Sequence, residues 1–213
     1  MNTLLATAIY AITTAKTMTV DYVLGASSVR AQRQMSLANR YPDAWVSGIF
    51  KDNILLTLNY MDGTVSDPAK INWAEVTKPK TYTLTLEPGE IFAFHEKVLP
   101  EYTAKIAKTM KARFNWTDGF KSDGYLIGDG VCHLASIMYW AARDAGLTTL
   151  APTNHDFANI PEVPKEYGVS IYYDPQSSAR STSQNLYITN TFDTPVQFAF
   201  AYDGTNLTVK VID

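Results

Sequence analysis

The clearest repeat of hydrophobic positions along the chain lies between residues 131 and 145. Apolar side chains recur there at intervals of three and four residues, which is the spacing of one face of an α-helix. They are Val131, Leu134, Met138, Ala141, Ala142 and Ala145. Gly146 follows directly, and glycine is the residue that most often ends a helix. The pattern predicts a helix with one buried face, which we expect to be central to the fold.

Two further segments have helical spacing. Asp52 precedes a hydrophobic run at residues 54–58, which predicts a short helix that starts near this capping residue and ends at the Asp-Gly turn of residues 62–63. The second segment spans residues 100–114, where Tyr102, Ile106 and Met110 share one face and lysines lie on another. That arrangement is typical of a helix with one solvated face.

The other hydrophobic segments alternate with polar residues, as β-strands do. Residues 82–86 and 91–94 predict two strands separated by a Pro-Gly turn, and Asp203-Gly204 predicts a hairpin between the last two runs. The runs in the second half of the chain are 168–173, 185–190, 195–202 and 207–212. Together these elements predict an α+β fold: a single domain over residues 36–213, with an antiparallel sheet packed by a few helices.

Residues 1–35 are predicted to be a separate N-terminal segment that ends in a linker. Residues 4–15 are mostly apolar and small residues follow at 25–28, as in the hydrophobic region and cleavage zone of a signal peptide. A basic region is missing before them, and the run is shorter than the roughly 20 residues that cross a membrane. Two interpretations stay open: a degraded or truncated export segment, through which the protein would attach to a membrane, or an amphipathic helix.

Composition excludes several classes of protein. Hydrophobic residues make up 46% of the 213 residues and charged residues 18%, which is typical of a folded domain rather than a disordered chain. The formal net charge of -3 argues against a nucleic-acid partner. One cysteine and three histidines exclude an internal disulfide and a multi-thiolate zinc site, and no HExxH spacing is present. We therefore predict no metal and no cofactor.

Cys132 is the residue whose position indicates chemistry. It lies at the start of the predicted helix 131–145. A helix N-terminus carries partial positive charge and free amide donors, which stabilise a thiolate or an oxyanion. The sequence therefore predicts a nucleophile here, with a small buried hydrophobic residue as the alternative.

The glycine-rich segment 115–130 precedes this helix and holds four glycines and three aspartates. A loop of this composition indicates close approach of its backbone to a ligand, and a plain surface loop is the alternative. The candidate substrate-binding residues in it are Gly128, Asp129 and Gly130.

A thiol nucleophile needs a base, and His155 is the natural candidate because it lies in a loop between the helix and the β-rich end. His133 follows Cys132, so on a helix its side chain points about 100 degrees away, which favours a substrate or supporting contact. His95 is interpreted as a strand cap rather than a residue at the mouth of a cleft.

Residues 128–136 (GDGVCHLAS), with Tyr139, Ala142 and 145–147, resemble the Gly-Gly-Gly-x-Cys-Gln-Val-Ser core of the VanW-like family of bacterial envelope proteins. Residues 86–94 are similar to the family's upstream Pro-Gly-Glu-x-Phe segment. His155 falls where the family has the histidine of a His-Ser-x-Pro region, and Asn190 with Pro195 resembles its Asn-Asn-Thr-x-x-Pro strand end. The resemblance covers roughly residues 70–200.

The chain departs from this family pattern at three places. Asp129 replaces the middle glycine, His133 replaces the glutamine after the cysteine, and residues 156–158 read Asp-Phe-Ala instead of Ser-x-Pro. A carboxylate next to the thiol opposes formation of the thiolate unless it points away. The fold therefore carries over from the family more securely than the activity.

The resemblance implies an extracytoplasmic protein of the cell envelope whose partner is peptidoglycan. Some members are understood to act as peptidoglycan L,D-transpeptidases with the motif cysteine as nucleophile. For this chain it implies that Cys132 attacks an amide of a stem peptide, His155 moves the proton, and an amine resolves the thioester. Asn190 and His133 would contact the substrate.

Two alternatives to a transpeptidase remain. The first is a non-catalytic wall-binding module in which the glycine-rich loop contacts glycan or peptide through Phe114, Trp116 and Tyr125. The second is a cysteine amidase or peptidase, in which water resolves the thioester.

Overall fold

The structure, a computed structural model, describes residues 28–104 and 106–213, and the side chains of residues 106 and 107 are not described. The predicted export segment or amphipathic helix therefore lies outside the described residues. The elements follow in the order β1 (Val29–Ser36), α1 (Ala44–Met61), α2 (Trp73–Val76), β2 (Lys80–Leu86), β3 (Ile91–Ala93), β4 (Ile106–Thr109), α3 (Val131–Asp144), β5 (Thr148–Leu150), α4 (Ser178–Ser183), β6 (Tyr187–Thr189), β7 (Val196–Tyr202) and β8 (Asn206–Ile212). The predicted α+β class is confirmed.

The strands form two sheets rather than the one that was predicted. The first is antiparallel with the order β1-β8-β7-β2, and the second has the order β4-β3-β6-β5 with one parallel pair, β3 and β4. In β7 the side chains of Phe198 and Phe200 are buried while Gln197 is exposed, which is the alternation expected of a sheet with one face on the core. Helix α3 packs against β1 and β8.

Several predicted elements are confirmed. Helix α3 starts at Val131 and its chain turns at Gly146, which has a φ of +84°. The hairpin between β7 and β8 has Gly204 at a φ of +106°, and the Asp203 carboxylate accepts the N–H groups of Thr205 and Asn206. Strands β2, β3 and β6 also lie where alternation predicted them.

Helix α1 is longer than the prediction from Asp52. It begins at Ala44, and the Asp43 carboxylate caps it by accepting the N–H groups of Trp45 and Val46. Asp52 lies inside the helix, where it forms an ion pair with Lys121 at 2.6 Å. Asp52 resembles a cap because it stands just before the hydrophobic run 54–58, but Trp45, Val46, Ile49 and Phe50 already repeat at helical spacing ahead of it.

The helix predicted over residues 100–114 is wrong. Only residues 100–102 form a short 3-10 turn, and the segment then extends into β4, which pairs in parallel with β3. Beyond β4 the side chains of Met110, Ala112 and Phe114 are buried, whereas the residues between them are exposed. The spacing of these hydrophobic residues thus fits the two-residue period of a strand as well as the period of a helix. Pairing with the edge of β3 makes the segment a strand.

Two other local predictions also differ from the structure. Residues 29–36, interpreted as a linker, form strand β1, because β8 offers them a complete antiparallel edge. Residues 169–172, part of a predicted strand, are extended without joining a sheet. Their N–H groups bond instead to the Ser136 hydroxyl, the Thr153 carbonyl, the Cys132 sulfur and the Gln184 carbonyl.

Helix α1 and the start of α3 approach each other closely. Gly130 has a φ of +96°, and a Cβ atom there would lie 2.5 Å from the Phe50 carbonyl oxygen. The buried Asn53 side chain donates to the carbonyl oxygens of Lys121 (3.0 Å) and Asp129 (2.9 Å), and it accepts the Lys121 N–H (2.9 Å). One carboxamide therefore fixes both ends of the loop that leads into α3.

None of the described helices combines the length and the apolar character that crossing a bilayer requires.

The contact at Gly130 yields a stability prediction. The substitution Gly130→Ala adds a clash with Phe50 to the backbone strain of a positive φ, so we expect the free energy of unfolding to fall by about 2 kcal/mol or more. Gly124, at a φ of +99°, has no atom within 4 Å of a Cβ position, and Gly124→Ala should cost only about 1 kcal/mol. Urea denaturation measures both, and equal losses would contradict the close contact.

Candidate active site at the start of helix α3

The Cys132 thiol lies in the first turn of α3 and is held by one backbone residue. The Ile171 N–H donates to Sγ at 3.4 Å, and the thiol donates to the Ile171 carbonyl oxygen at 3.6 Å. The residue is half-buried and packs against the hydrophobic core. The nearby Ser136 hydroxyl accepts the Val169 N–H and donates to the Cys132 carbonyl oxygen. Segment 169–171 is thus fastened along the first turns of α3.

The surroundings of Cys132 favour the protonated thiol. Burial raises the pKa of Cys132 to about 11, and the charge of Asp129 raises it further, while the Ile171 N–H acts in the opposite direction. At neutral pH the thiol is therefore neutral, so a nucleophilic role requires a base that takes its proton as it attacks.

Asp129 shares the loop that leads into α3 and is buried. Its carboxylate accepts the Asp123 N–H at 3.3 Å. Burial, together with the negative charge of Asp123, raises the pKa of Asp129 to about 6. Asp129 is therefore mostly ionised at neutral pH, and its charge is the departure from the glycine pattern that opposes a thiolate.

The His155 side chain has one ring nitrogen in use. Its Nδ1 lies 3.2 Å from the Ala158 carbonyl oxygen, and since a carbonyl only accepts, Nδ1 carries the proton and Nε2 carries the lone pair. Burial lowers the pKa of His155, so the ring is neutral at pH 7. Only 7% of the residue is exposed. It borders a pocket of about 170 Å³ that Phe157, Ile160 and Lys165 also line.

His133 connects this loop to α3. Its ring is perpendicular to that of His155, with the ring centroids 6.3 Å apart, and it also packs on Phe50 at 4.9 Å. Burial, with the charge of Arg40, lowers the pKa of His133 to about 3, and its Nδ1 has no hydrogen-bond partner. The structure therefore brings the distant His155 to the residue that follows Cys132 in the chain.

The loop glycines make the close backbone approach that their composition indicated, but they make it to the protein itself. A Cβ on Gly128 would lie 3.0 Å from the Phe114 carbonyl oxygen, and Gly130 approaches Phe50 as described above. Both glycines have positive φ angles. Packing within the protein is therefore enough to explain why glycine stands at these two positions, and contact with a substrate is not needed to explain it.

Asn190 and His95 are buried and bonded within the fold. The Asn190 carboxamide donates to the carbonyl oxygens of Leu86 and Thr194, both at 2.9 Å, and accepts the Phe192 N–H at 3.0 Å, so it holds the turn after β6. His95 Nε2 donates to the Gln184 carbonyl oxygen, and burial lowers its pKa to about 4. This position agrees with the interpretation of His95 as a strand cap.

Residues 28–104 and 106–213 contain no group of three or more His, Cys, Asp or Glu side chains placed to hold a metal ion.

One surface feature is not indicated by the sequence patterns, a groove of about 430 Å³ between α1 and the segment that follows Trp116. Trp45 and Trp116 both line it, and both are strongly exposed. Phe114, which the sequence grouped with Trp116 as a contact residue, is buried in the core. The groove could not be inferred from the sequence because the predicted helix began near Asp52, whereas α1 begins at Ala44 and so includes Trp45.

Comparison with known proteins gives one match. The family model described as VanW like protein matches residues 69–212 of the chain, a range that holds Cys132, His155 and Asn190 and leaves β1 and α1 outside. Comparisons with curated proteins and with solved structures give no match.

The electrostatics of the loop predict how Cys132 reacts. Asp129→Asn keeps an acceptor for the Asp123 N–H and removes the charge that opposes the thiolate. Since the pKa of Asp129 is about 6, the group is ionised in mildly alkaline solution, and the variant should alkylate about two- to tenfold faster there. Cys132 is the single cysteine, so iodoacetamide labelling followed by mass spectrometry reports it alone.

Asp123→Asn is the matched control, because it removes a charge from the same loop without removing one of the groups that act on the thiol. We expect its labelling rate to stay close to that of the original protein. Equal rates in the two variants would contradict the assignment to Asp129.

Proposed function

Since the chain belongs to the VanW-like family, we propose that it is a cysteine acyltransferase of the peptidoglycan L,D-transpeptidase type that acts in the cell envelope. Cys132 is the nucleophile and His155 the general base. The partner is a peptidoglycan stem peptide, and no cofactor takes part. The family resemblance suggests the reaction class, and the contacts of Cys132 and His155 support the proposed roles.

The observation that carries the proposal is the state of His155. Its Nδ1–H is engaged by Ala158, its ring is neutral at pH 7, and its Nε2 keeps a lone pair in the neighbourhood of the α3 start. A base in this tautomer is what a neutral thiol needs. The Ile171 N–H supports the sulfur as negative charge develops on it.

The proposed reaction proceeds in two steps. As Sγ attacks the carbonyl carbon of a stem-peptide amide, His155 Nε2 takes the thiol proton. The C–N bond breaks, the leaving amine takes that proton, and a thioester on Cys132 remains. An amine of a neighbouring stem then attacks the thioester, its proton returns through His155 to the sulfur, and a new amide forms.

The ionisation states of Cys132 and Asp129 determine how this reaction can start. A pKa of about 11 for the free thiol argues against a standing thiolate, so proton transfer must accompany attack. Binding of a substrate cation near Asp129 would neutralise the carboxylate that opposes the thiolate. Gly128, Asp129, Gly130 and His133 remain the proposed substrate-binding residues. Asn190, whose carboxamide is bonded within the fold, is proposed to support the site by holding the turn after β6.

A wall-binding module without catalysis is the second candidate. The paired hydrogen bonds of Cys132 with Ile171 favour it. A neutral thiol that both donates to and accepts from one backbone residue holds segment 169–171 in place, and this structural role needs no catalysis. A cysteine amidase differs from the transferase only in the acceptor, water replacing the amine.

The nucleophile is tested with Cys132→Ser. Serine retains a hydroxyl that can bond to Ile171, so we expect a melting temperature close to that of the original protein. Cross-link formation on purified muropeptides, followed by chromatography and mass analysis, should fall about a thousandfold or more. Mass analysis of the products also separates transfer to an amine from hydrolysis.

Cys132→Ala is the companion variant. It removes the hydrogen bonds as well as the nucleophile, and we expect the same loss of cross-links with a somewhat lower melting temperature. Retained cross-linking in the stable serine variant would overturn the nucleophile. Unchanged binding to cell-wall sacculi, with no cross-linking by any form of the protein, would favour the binding module.

A further inference from the structure

The groove between Trp45 and Trp116 exposes two large aromatic side chains. Trp45 lies in the first turn of α1, and Trp116 lies in the short 3-10 turn of residues 116–118. They are 65% and 64% exposed, and both line the same groove of about 430 Å³. Tryptophan is among the residues that gain most from burial, so two exposed ones that share a groove indicate a surface that becomes covered.

The polar part of the groove is an ion pair. Lys121 Nζ lies 2.6 Å from the Asp52 carboxylate, and the same ammonium group lies 3.9 Å above the ring of Trp73. These contacts hold Lys121 in place before any ligand arrives. Lys51 Nζ lies 3.9 Å from the same carboxylate but does not line the groove. The Lys121–Asp52 pair that does line it offers a donor and an acceptor and has no net charge.

Gly48 is the third feature. It lies within α1 and lines the groove, and no atom lies within 4 Å of the position that a Cβ would take. A glycine inside a helix weakens that helix, and close packing is the usual reason for one. Here packing does not require it. Because glycine has no side chain, the surface of the groove is open between Trp45 and Asp52.

We infer that this groove binds a neutral saccharide chain. Flat aromatic faces pack against the C–H faces of pyranose rings, and a fixed donor with a fixed acceptor matches ring hydroxyls. The neutral ion pair gives no attraction for a polyanion or a polycation. The groove lies between a helix and a loop rather than along a free strand edge, so an extended peptide finds no backbone partners to pair with.

The groove is distinct from Cys132 but joined to it through α1. On this helix Trp45, Gly48 and Asp52 line the groove, while Phe50 contacts His133. Five of its eight lining residues precede the part of the chain that matches the family, which begins at residue 69, so this site is not implied by family membership. The inference gives the wall-binding candidate a class of ligand and does not rest on the acyltransferase, because saccharide binding needs no catalysis.

The test measures binding of chitohexaose and cellohexaose to the full chain by isothermal titration calorimetry. We expect binding of at least one of these oligosaccharides, weakened about tenfold or more in both Trp45→Ala and Trp116→Ala. The Trp45 N–H that Asp43 caps is a backbone group, so the alanine variant keeps the helix cap. Gly48→Ala should also weaken binding and raise the melting temperature.

The matched control is Tyr172→Ala, which removes an aromatic side chain that is 47% exposed and does not line the groove. Its binding should be unchanged. Failure of both oligosaccharides to bind at millimolar concentration would overturn the inference, as would binding that both tryptophan variants retain. Binding of heparin or polylysine alone would likewise overturn it. Cys132→Ser should bind saccharide normally, so a failure of the acyltransferase proposal leaves this result intact.

Discussion

The contact between α1 and the loop that enters α3 fixes where everything else at this end of the molecule lies. The Gly130 backbone rests against the Phe50 carbonyl, and the Asn53 carboxamide bonds to Lys121 and Asp129 at the two ends of the loop. Buried amide groups with all their hydrogen bonds made tolerate little displacement. The same helix therefore sets the first turn of α3, with Cys132 on it, and the position of Lys121 in the aromatic groove.

This placement has an electrostatic consequence. Burial, together with the charge of the nearby Asp129, raises the pKa of Cys132, and burial lowers the pKa of His133 and of His155 so that both rings are neutral. Such a site has a low reactivity toward chance electrophiles, because few thiolates exist at neutral pH. It is suited to a reaction in which a substrate and a neutral imidazole together activate the sulfur. The sulfur itself bonds to Ile171, so the proposed reaction depends on the lone pair of His155 Nε2 reaching it when substrate is bound.

The sequence predicted correctly those elements whose spacing of hydrophobic residues fits either a helix or a strand but not both. Helix α3, the β7–β8 hairpin and the turn before β3 fall into this group. The segment 100–114 satisfied both a helical and an alternating period, and only the exposed edge of β3 decides between them. Strand β1 carries too many polar residues to be recognised without its partner β8. The proximity of His155 to His133 depends on the path of a long loop that no periodicity describes.

The start of the helix that holds Cys132 was predictable from the sequence, whereas the surroundings of its thiol were not. The position of Cys132 after a glycine-rich loop indicated a helix start, and the structure confirms that start. The glycines, by contrast, indicated a ligand but are explained by contacts with Phe50 and Phe114. A sequence shows that glycine is required at a position, but it does not show whether a ligand or the protein itself lies against that backbone. The groove at Trp45 could not be seen until the helix boundary was known.

The most direct test of the central claim, that Cys132 carries the acyl group, is the intact mass of the protein after incubation with a stem-peptide donor and no acceptor amine. A covalent adduct on Cys132 that hydroxylamine removes, and that the serine variant does not form, is the result we expect. A protein that stays unmodified while its thiol remains open to alkylation would contradict it.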